Sequence, residues 1–417
     1  MPRWMYTLLL ALPATFVAEA LHATPVLIFL LAALALVPLA GLIGLATEAL
    51  AERLNYTLGG LLNATFGNAA ELIIGITALS AGLTQVVLAS ITGSIIGNVL
   101  LVLGMSMLAG GWRHGAQVFS KENAGHYAVM MTIAVVGMTL PSLIALVGEG
   151  TGPNPVLVRG LALHELSLAV GVLLLASYVA YVGFSIFGLG ARGRQPATDA
   201  DVALTPLEKV TVVEEIEGAS QQPHSGDVSA GGATPEGAVG EEKATPSVAY
   251  AETGVLARVE ALWRRGPAVP VATLALVTAL TAIASEALVG AIEPVAEQVG
   301  LNPFFIGLII LPIVGNAAEH SSAITFALRN RMEVSMAISA GSSIQVALLV
   351  TPVLVFISWV VGHPLDLLFA PFELVVLALV TGIFALVSLD GESTWIEGMQ
   401  LCVFYLIVAL CLFFVPA

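Results

Sequence analysis

Long apolar segments recur along the whole chain, and they constrain its fold more than any other feature of the sequence. A membrane-spanning helix needs about 20 mostly apolar residues, and eleven segments meet that need between boundaries of glycine, proline and charge. Only 10% of the 417 residues are charged, whereas soluble domains carry about 25%. We therefore predict an all-α polytopic membrane protein that lies in a lipid bilayer. The predicted spans are residues 4–22, 25–51, 57–82, 84–109, 124–147, 160–188, 267–291, 303–327, 333–359, 365–388 and 394–415.

The first segment has one arginine followed by an apolar run, a pattern shared with cleaved signal peptides. Glu19, however, lies where a cleavage region requires small neutral residues. A retained first helix is therefore the expectation.

One long polar region, residues 191–266, separates the sixth predicted span from the seventh. It is rich in Gly, Ala, Ser, Pro and Glu, and it holds twelve of the 29 acidic residues of the chain. The acidic residues are thus unevenly distributed, and the formal net charge of −15 does not indicate an acidic surface everywhere.

The positions of Lys and Arg predict the orientation of the helices. With a cytoplasmic N-terminus and alternating spans, 13 of these residues face the cytoplasm and only Arg159 faces the other side. Without the seven in the long linker, six Lys and Arg residues face the cytoplasm and one faces the other side. This excess on the cytoplasmic side agrees with the positive-inside rule. The C-terminus is then expected on the side opposite to the N-terminus.

An internal repeat divides the spans into two sets. Its three matched pairs of segments are Phe66–Glu71 with Val314–Glu319, Thr47–Leu50 with Ser285–Leu288, and Gly93–Ile96 with Gly341–Ile344. Each half has five predicted helices, so the cytoplasmic linker requires the halves to insert in opposite orientations, as in many secondary transporters. The predicted organisation is an extra helix at 1–24, a first repeat at 25–190, an acidic linker at 191–266 and a second repeat at 267–417.

Two carboxylates at matched places in the halves, Glu71 and Glu319, lie well inside apolar runs. A charge at mid-bilayer costs at least about 2.5–3.5 kcal/mol, so a duplicated one is more consistent with function than with structure. Inverted repeats place both residues near the midplane, facing each other. Each is preceded at three residues by an asparagine, Asn68 or Asn316, on the same predicted helix face.

Glycines Gly67 and Gly315 precede these asparagines and allow the helix to break, which exposes backbone carbonyls to a cation. Carboxylate, amide and carbonyl oxygens suit Ca²⁺, which takes 6–8 oxygen ligands at about 2.3–2.6 Å. Protons compete for the same carboxylates, because protonation relieves both their repulsion and the cost of their burial. We therefore expect exchange of Ca²⁺ for H⁺ at one alternating-access site, with Ca²⁺ as substrate and without a cofactor.

Other polar residues in the spans are secondary candidates. Glu48 and Glu286 are duplicated near helix ends and are predicted to gate access or to relay protons. His320 follows Glu319 and points to another face, where a role in proton relay is weighed against a bond to a neighbouring helix. Four polar residues are predicted to line the site, although the serines could equally join helices. They are Ser94, Asn98, Ser342 and Gln345.

The two motifs GNAAELIIGITAL (67–79) and GNAAEHSSAITFAL (315–328) resemble those of the cation/proton exchanger family of Ca²⁺/H⁺ antiporters, within the calcium/cation antiporter superfamily. GSIIGN (93–98) and SAGSSIQVALLVTPVLV (339–355) extend the resemblance, which covers nearly the whole chain. It implies an eleven-helix fold with one extra helix and two inverted five-helix repeats.

The resemblance also implies roles for individual residues. Glu71 and Glu319 match the family's Ca²⁺-binding and proton-exchanging glutamates, and Glu48 and Glu286 match acidic residues on two mobile helices. Ser342 and Gln345 match polar residues near the site, and Asn68, Asn316, Gly67 and Gly315 belong to the same region. Val346 stands where the first half has Asn98, so the site is expected to be asymmetric.

Alternatives stay open at this point. Sodium-driven relatives carry an Asp-Thr pattern in one repeat, whereas both repeats here keep Glu, which favours protons over Na⁺ or K⁺. A passive cation channel uses similar carboxylates, and an intramembrane enzyme is disfavoured because the sequence has no HExxH motif. A prokaryotic inner membrane is the expected location, a homo-oligomer is left open, and no nucleic-acid partner is expected.

Overall fold

The computed structural model describes residues 3–54, 59, 62, 65–150, 160–187 and 266–414. The predicted linker at 191–266 lies outside the described residues except for Gly266. The structure therefore describes the two predicted repeats and the extra helix, with gaps in the third span and between the fifth and sixth.

Helices make up nearly all of the described chain. In the first half they are α1 (Arg3–Leu8), α2 (Ala11–Ala20), α3 (Pro25–Ala51), α4 (Ala69–Ser80), α5 (Thr84–Ile96), α6 (Leu103–His114), α7 (Lys121–Gly150) and α8 (Gly160–Phe187). In the second half they are α9 (Ala268–Gly290), α10 (Ile292–Val299), α11 (Pro303–Phe305), α12 (Leu311–Gly315), α13 (Ala317–Leu328), α14 (Met332–Gln345), α15 (Thr351–Val361), α16 (Pro371–Val387) and α17 (Trp395–Phe413). Three π-helical stretches, Gly97–Val102, Ile306–Ile310 and Val346–Val350, join consecutive helices.

The described residues contain seven helical stretches that are long and apolar enough to cross a membrane. They contain an eighth if the pair Pro303–Gly315 and Ala317–Leu328, bent by 61°, forms one broken span. Three shorter apolar helices, Met5–Ala20, Ala69–Ser80 and Pro371–Val387, accompany them. Each of the eleven predicted segments contains one of these helices, which confirms a helical membrane protein.

Some boundaries differ from the prediction for local reasons. The tenth segment becomes helical only at Pro371, not at residue 365, because residues 363–370 are extended and proline starts a helix well. The fourth and fifth segments are longer than predicted, ending at His114 and beginning at Lys121. An all-α chain was predicted, but Gln117–Val118 pairs antiparallel with Glu392–Ser393 in a two-residue ribbon.

Close packing of the two halves brings their central helices together. Helices α3 and α9 pack against each other extensively. Helix α5 crosses the π-helical stretch Ile306–Ile310 at Gly93, where a Cβ would lie 2.0 Å from the Leu308 carbonyl oxygen. Only glycine permits this approach, so α5 packs closely at Gly93 against the helix that leads to Gly315.

The connections between spans fall on two faces of the molecule. On one face, Gln117 Nε2 donates to the Ala327 carbonyl at 2.9 Å and to Asn330 Oδ1 at 3.0 Å, which joins the loops after the fourth and eighth spans. On the other face, His164 Nδ1 and Asp366 Oδ1 are 2.7 Å apart, at the start of the sixth span and after the ninth. This grouping agrees with spans that alternate in direction.

Candidate functional site

Both copies of the repeated GNAAE motif interrupt a helix. In the first copy α4 begins at Ala69, and Asn68 precedes it with φ −101° and ψ 25°. In the second copy α12 ends at Gly315, α13 begins at Ala317, and Asn316 lies between them with φ −97° and ψ 9°. The predicted break is confirmed, but the asparagines stand at the break, outside the helices that carry the glutamates.

The breaks bring the two motifs together across the molecule. A Cβ at Gly315 would lie only 3.4 Å from Cγ of Glu71, so the second motif packs directly against the first glutamate. Glu71 and Glu319 are thus carried by two motifs that lie in contact with each other. The predicted juxtaposition of the two motifs is thus present in the structure. Gly67 is exposed at the first break, whereas Gly315 is buried at the second.

A hydrogen-bond network surrounds Asn68 and connects the two halves. Asn68 Nδ2 donates to Gln345 Oε1, and Asn68 Oδ1 accepts from the Ser342 hydroxyl at 3.3 Å. Asn98 Nδ2 in turn donates to Ser342 Oγ at 2.9 Å. Three of the four predicted lining residues therefore brace the first asparagine.

The second asparagine has fewer partners. Asn316 Nδ2 donates to Ser94 Oγ at 3.3 Å, which accounts for the fourth lining residue. Within the described part of the chain, Asn316 Oδ1 is buried and accepts no hydrogen bond. Two carboxylate oxygens share that condition, Glu71 Oε1 and Glu319 Oε2.

Three buried oxygens without partners are costly, because each loses its hydrogen bonds to water on burial. Such a set is satisfied by a cation or, on the carboxylates, by protons. Carboxylate and amide oxygens are the ligands preferred by Ca²⁺, whereas the described residues contain no group of three or more His, Cys, Asp or Glu that could hold a metal ion. The donor set of carboxylate and amide oxygens therefore suits a hard cation.

The candidate gating residues are placed unequally. Glu48 is half-buried near the end of α3, and Glu286 is exposed near the end of α9. Glu286 lines a groove of about 580 Å³ together with Ile73, Thr77 and Ser80 of α4. The groove thus follows the helix whose first turn carries Glu71.

His320 is half-buried, and its Nε2 atom has no hydrogen-bond partner among the described residues. This nitrogen makes no bond to a neighbouring helix in this conformation, and the choice between proton relay and helix contact stays a prediction. A free ring nitrogen beside Glu319 is available to accept or pass a proton.

The sequence alone assigns no role to Glu373 in α16, an acidic residue within the tenth predicted span. It is fully buried, with 0% of its surface exposed, and it accepts hydrogen bonds from Thr92 Oγ1 at 2.8 Å and from the Ala370 amide at 2.7 Å. The comparison of the two repeats could not single out Glu373, because this residue has no counterpart in the other half. A Glu two residues after a helix-starting proline was the available signal, because this is the position that caps a helix N-terminus.

Comparisons with known proteins agree with this arrangement. The family profile described as "Sodium/calcium exchanger protein" matches residues 24–187 and 269–414. A protein named Ca(2+)/H(+) antiporter from Synechocystis is 40% identical over 410 residues, which are 98% of this chain and 96% of that protein. Another of the same name from Aphanothece halophytica is 39% identical over 411 residues, 99% of this chain and 96% of the relative.

A solved structure titled as the selenium-substituted Ca²⁺/H⁺ antiporter protein YfkE has a TM-score of 0.71 and 30% sequence identity, and the match covers 99% of each chain. The profile matches both halves of the chain and omits only the first residues, the linker region and the last residues. The chain belongs to the sodium/calcium exchanger protein family.

Proposed function

We propose that this protein is a secondary active antiporter that moves Ca²⁺ across the membrane in exchange for H⁺. The observation that carries the proposal is the pair of half-buried glutamates, Glu71 and Glu319, each with one buried oxygen that has no partner, in the first turn after a helix break. The relatives named as Ca²⁺/H⁺ antiporters, similar over nearly their full length, support the choice of ions.

The same oxygens serve both ions in turn. Ca²⁺ bound between Glu71 and Glu319 offsets their mutual repulsion, and Asn316 Oδ1 adds a neutral ligand. The backbone around Gly67 and Gly315 supplies further oxygens. When Ca²⁺ leaves, protons relieve the repulsion instead. Because either occupant excludes the other, the transport of one drives the transport of the other in the opposite direction.

The proposed architecture is eleven spans, with one extra helix followed by two inverted five-helix repeats joined by the acidic linker. It is supported by the eleven described helical segments and by the grouping of the connections on two faces. The distribution of Lys and Arg places the N-terminus in the cytoplasm and the C-terminus on the opposite side.

Access alternates between the two faces. The groove beside Glu286 extends along α4 to Ser80, at the end expected to face away from the cytoplasm. A carboxylate in such a groove concentrates cations at its mouth. Glu48 holds the matching position in the other half and serves access from the cytoplasm, and His320 passes protons beside Glu319.

The test is Ca²⁺ uptake by proteoliposomes under an imposed pH gradient. The Glu71→Gln and Glu319→Gln variants are expected to lose exchange, because each removes a carboxylate that both ions need. Glu165→Gln, which alters an exposed carboxylate on α8, is the matched control and retains exchange. Near wild-type exchange in either site variant would contradict the site.

The same vesicles distinguish the other transport classes. Uptake is expected to persist without Na⁺, and a Ca²⁺ gradient is expected to drive protons uphill. Strict dependence on Na⁺ would assign the protein to sodium-driven exchange, and failure of uphill proton movement would assign it to passive channels.

A further inference from the structure

Glu373 is another acidic residue within the spans, and its bonding differs from that of Glu71 and Glu319. Both of its carboxylate oxygens accept hydrogen bonds, one from Thr92 and one from the Ala370 amide. In Glu71 and Glu319, by contrast, one buried oxygen has no partner. Both carboxylate oxygens of Glu373 are therefore used in hydrogen bonds within the protein, whereas Glu71 and Glu319 each keep one oxygen available to ions.

Glu373 lies in the first turn of α16, which follows directly after the extended segment 363–370. The segment places Leu365, Leu367 and Phe369 in the core, with 0%, 0% and 4% of their surface exposed. Extended backbone at membrane depth requires partners from neighbouring helices. The partners are serine hydroxyls: Ser358 accepts from the Leu365 amide, Ser167 from the Leu367 amide and Ser142 from the Phe369 amide.

The final amide of this segment, Ala370, is bonded by Glu373. The other oxygen of Glu373 reaches across to Thr92 on α5, which is also fully buried. One side chain thus fixes both the start of α16 and the position of α5 beside it.

The two residues after Thr92 make the contacts of α5 with the second motif. Gly93 packs against the Leu308 carbonyl, in the stretch that leads to Gly315. Ser94 accepts the hydrogen bond from Asn316 Nδ2, and this bond orients the amide whose Oδ1 atom lacks a partner. A shift of α5 would therefore displace Asn316 from the site.

We propose that Glu373 is a positioning residue for cation binding: by holding Thr92 it fixes α5, and Ser94 then presents Asn316 to the ion. The inference rests on the proposed function, because it concerns the same site. It assigns Glu373 no contact with the transported ions. The competing role is direct proton exchange by Glu373.

The experiment compares Glu373→Ala with Glu373→Gln in proteoliposomes and in equilibrium binding of ⁴⁵Ca²⁺ to the purified protein. Loss of an outer hydrogen-bonding partner weakens metal binding by about 10-fold or more, so Glu373→Ala is expected to raise KM and Kd for Ca²⁺ about tenfold. Glu373→Gln retains an acceptor for Ala370 and an amide for Thr92, so it is expected to rescue both constants and to keep the wild-type pH profile.

A second pair of variants tests the contact without altering the acid. Thr92→Val removes the hydroxyl and is expected to raise KM, whereas Thr92→Ser keeps it and is expected to match wild type. If both variants act through one contact, the Thr92→Val and Glu373→Ala effects are expected to be non-additive in a double-mutant cycle.

Loss of proton coupling in Glu373→Gln with Ca²⁺ binding intact would overturn the positioning role in favour of proton exchange. Wild-type KM in both Glu373→Ala and Thr92→Val would overturn it as well. Either result can occur while Glu71→Gln still abolishes transport, so failure of this inference is distinguishable from failure of the proposed function.

Discussion

The two asparagines of the repeated motif occupy the same place in sequence but not in the hydrogen-bond network. Asn68 is bonded through both amide atoms, to Ser342 and Gln345 of the second half. Asn316 is bonded only through its nitrogen, to Ser94 of the first half, and its oxygen has no partner among the described residues. The first asparagine is a brace, and the second is a candidate ligand.

The difference accompanies two substitutions between the repeats, Gly97 where the second half has Gln345 and Asn98 where it has Val346. Asn98 in the first half donates to Ser342, which in turn donates to Asn68. The corresponding residue of the second half is Val346, which has no polar atom in its side chain. A gene duplication that produces two equal motifs can thus give one structural and one ion-binding amide after a few changes in neighbouring positions.

The largest difference between the two motifs is expected when the asparagines themselves are replaced by alanine. Asn316→Ala removes a free oxygen and is expected to weaken Ca²⁺ binding by about tenfold, equivalent to about 1.4 kcal/mol, with little change in thermal stability. Asn68→Ala leaves Gln345 Oε1 without its donor and the Ser342 hydroxyl without its acceptor, and it is expected to cost about 1–2 kcal/mol of stability. Equilibrium ⁴⁵Ca²⁺ binding and melting temperature in detergent measure the two effects. Equal changes in both variants would show that the asparagines have the same role.

A smaller effect is expected at the two gating glutamates. Glu286→Gln removes a charge from the open groove and is expected to raise KM for Ca²⁺ about threefold at low salt, with less effect at high salt, because exposed charges are screened. Glu48→Gln, at the half-buried matching position, is expected to show the weaker salt dependence of the two. Initial uptake rates at two ionic strengths provide the measurement. Identical salt dependence would indicate that the groove is not the entry path.

An effect of about the same size is expected from the serine that holds Asn316. Ser94→Ala removes one hydrogen bond of 3.3 Å and is expected to raise KM about threefold, consistent with a bond worth about 0.6 kcal/mol. The matched variant Ser342→Ala removes two hydrogen bonds around Asn68. It is expected to lower the melting temperature and to change KM less than Ser94→Ala does. A larger change of KM in Ser342→Ala than in Ser94→Ala would reverse the assignment of brace and ligand.

Much of the fold could be predicted because each membrane helix can be recognised from its own segment of sequence, without knowledge of its neighbours. Their backbone hydrogen bonds are internal, so length and apolar composition suffice to locate them. The helix breaks at Asn68 and Asn316 were also predictable, from glycines beside buried acids. The π-helical stretches, the ribbon at Gln117 and Ser393, and the late start of α16 were not, because each depends on contacts with distant helices.

By itself, the sequence determined that this chain lies in a membrane and that its two halves share a repeated motif, and it predicted Glu71 and Glu319 as the acids available to ions. Periodicity, apolar length and the cost of a buried charge are properties of single segments and need no third dimension. Only the tertiary structure decided which amide is free and which is braced, and that Glu373 serves Thr92 and Ala370. Hydrogen bonds between residues more than 200 positions apart depend on how helices are placed, and no local pattern encodes them.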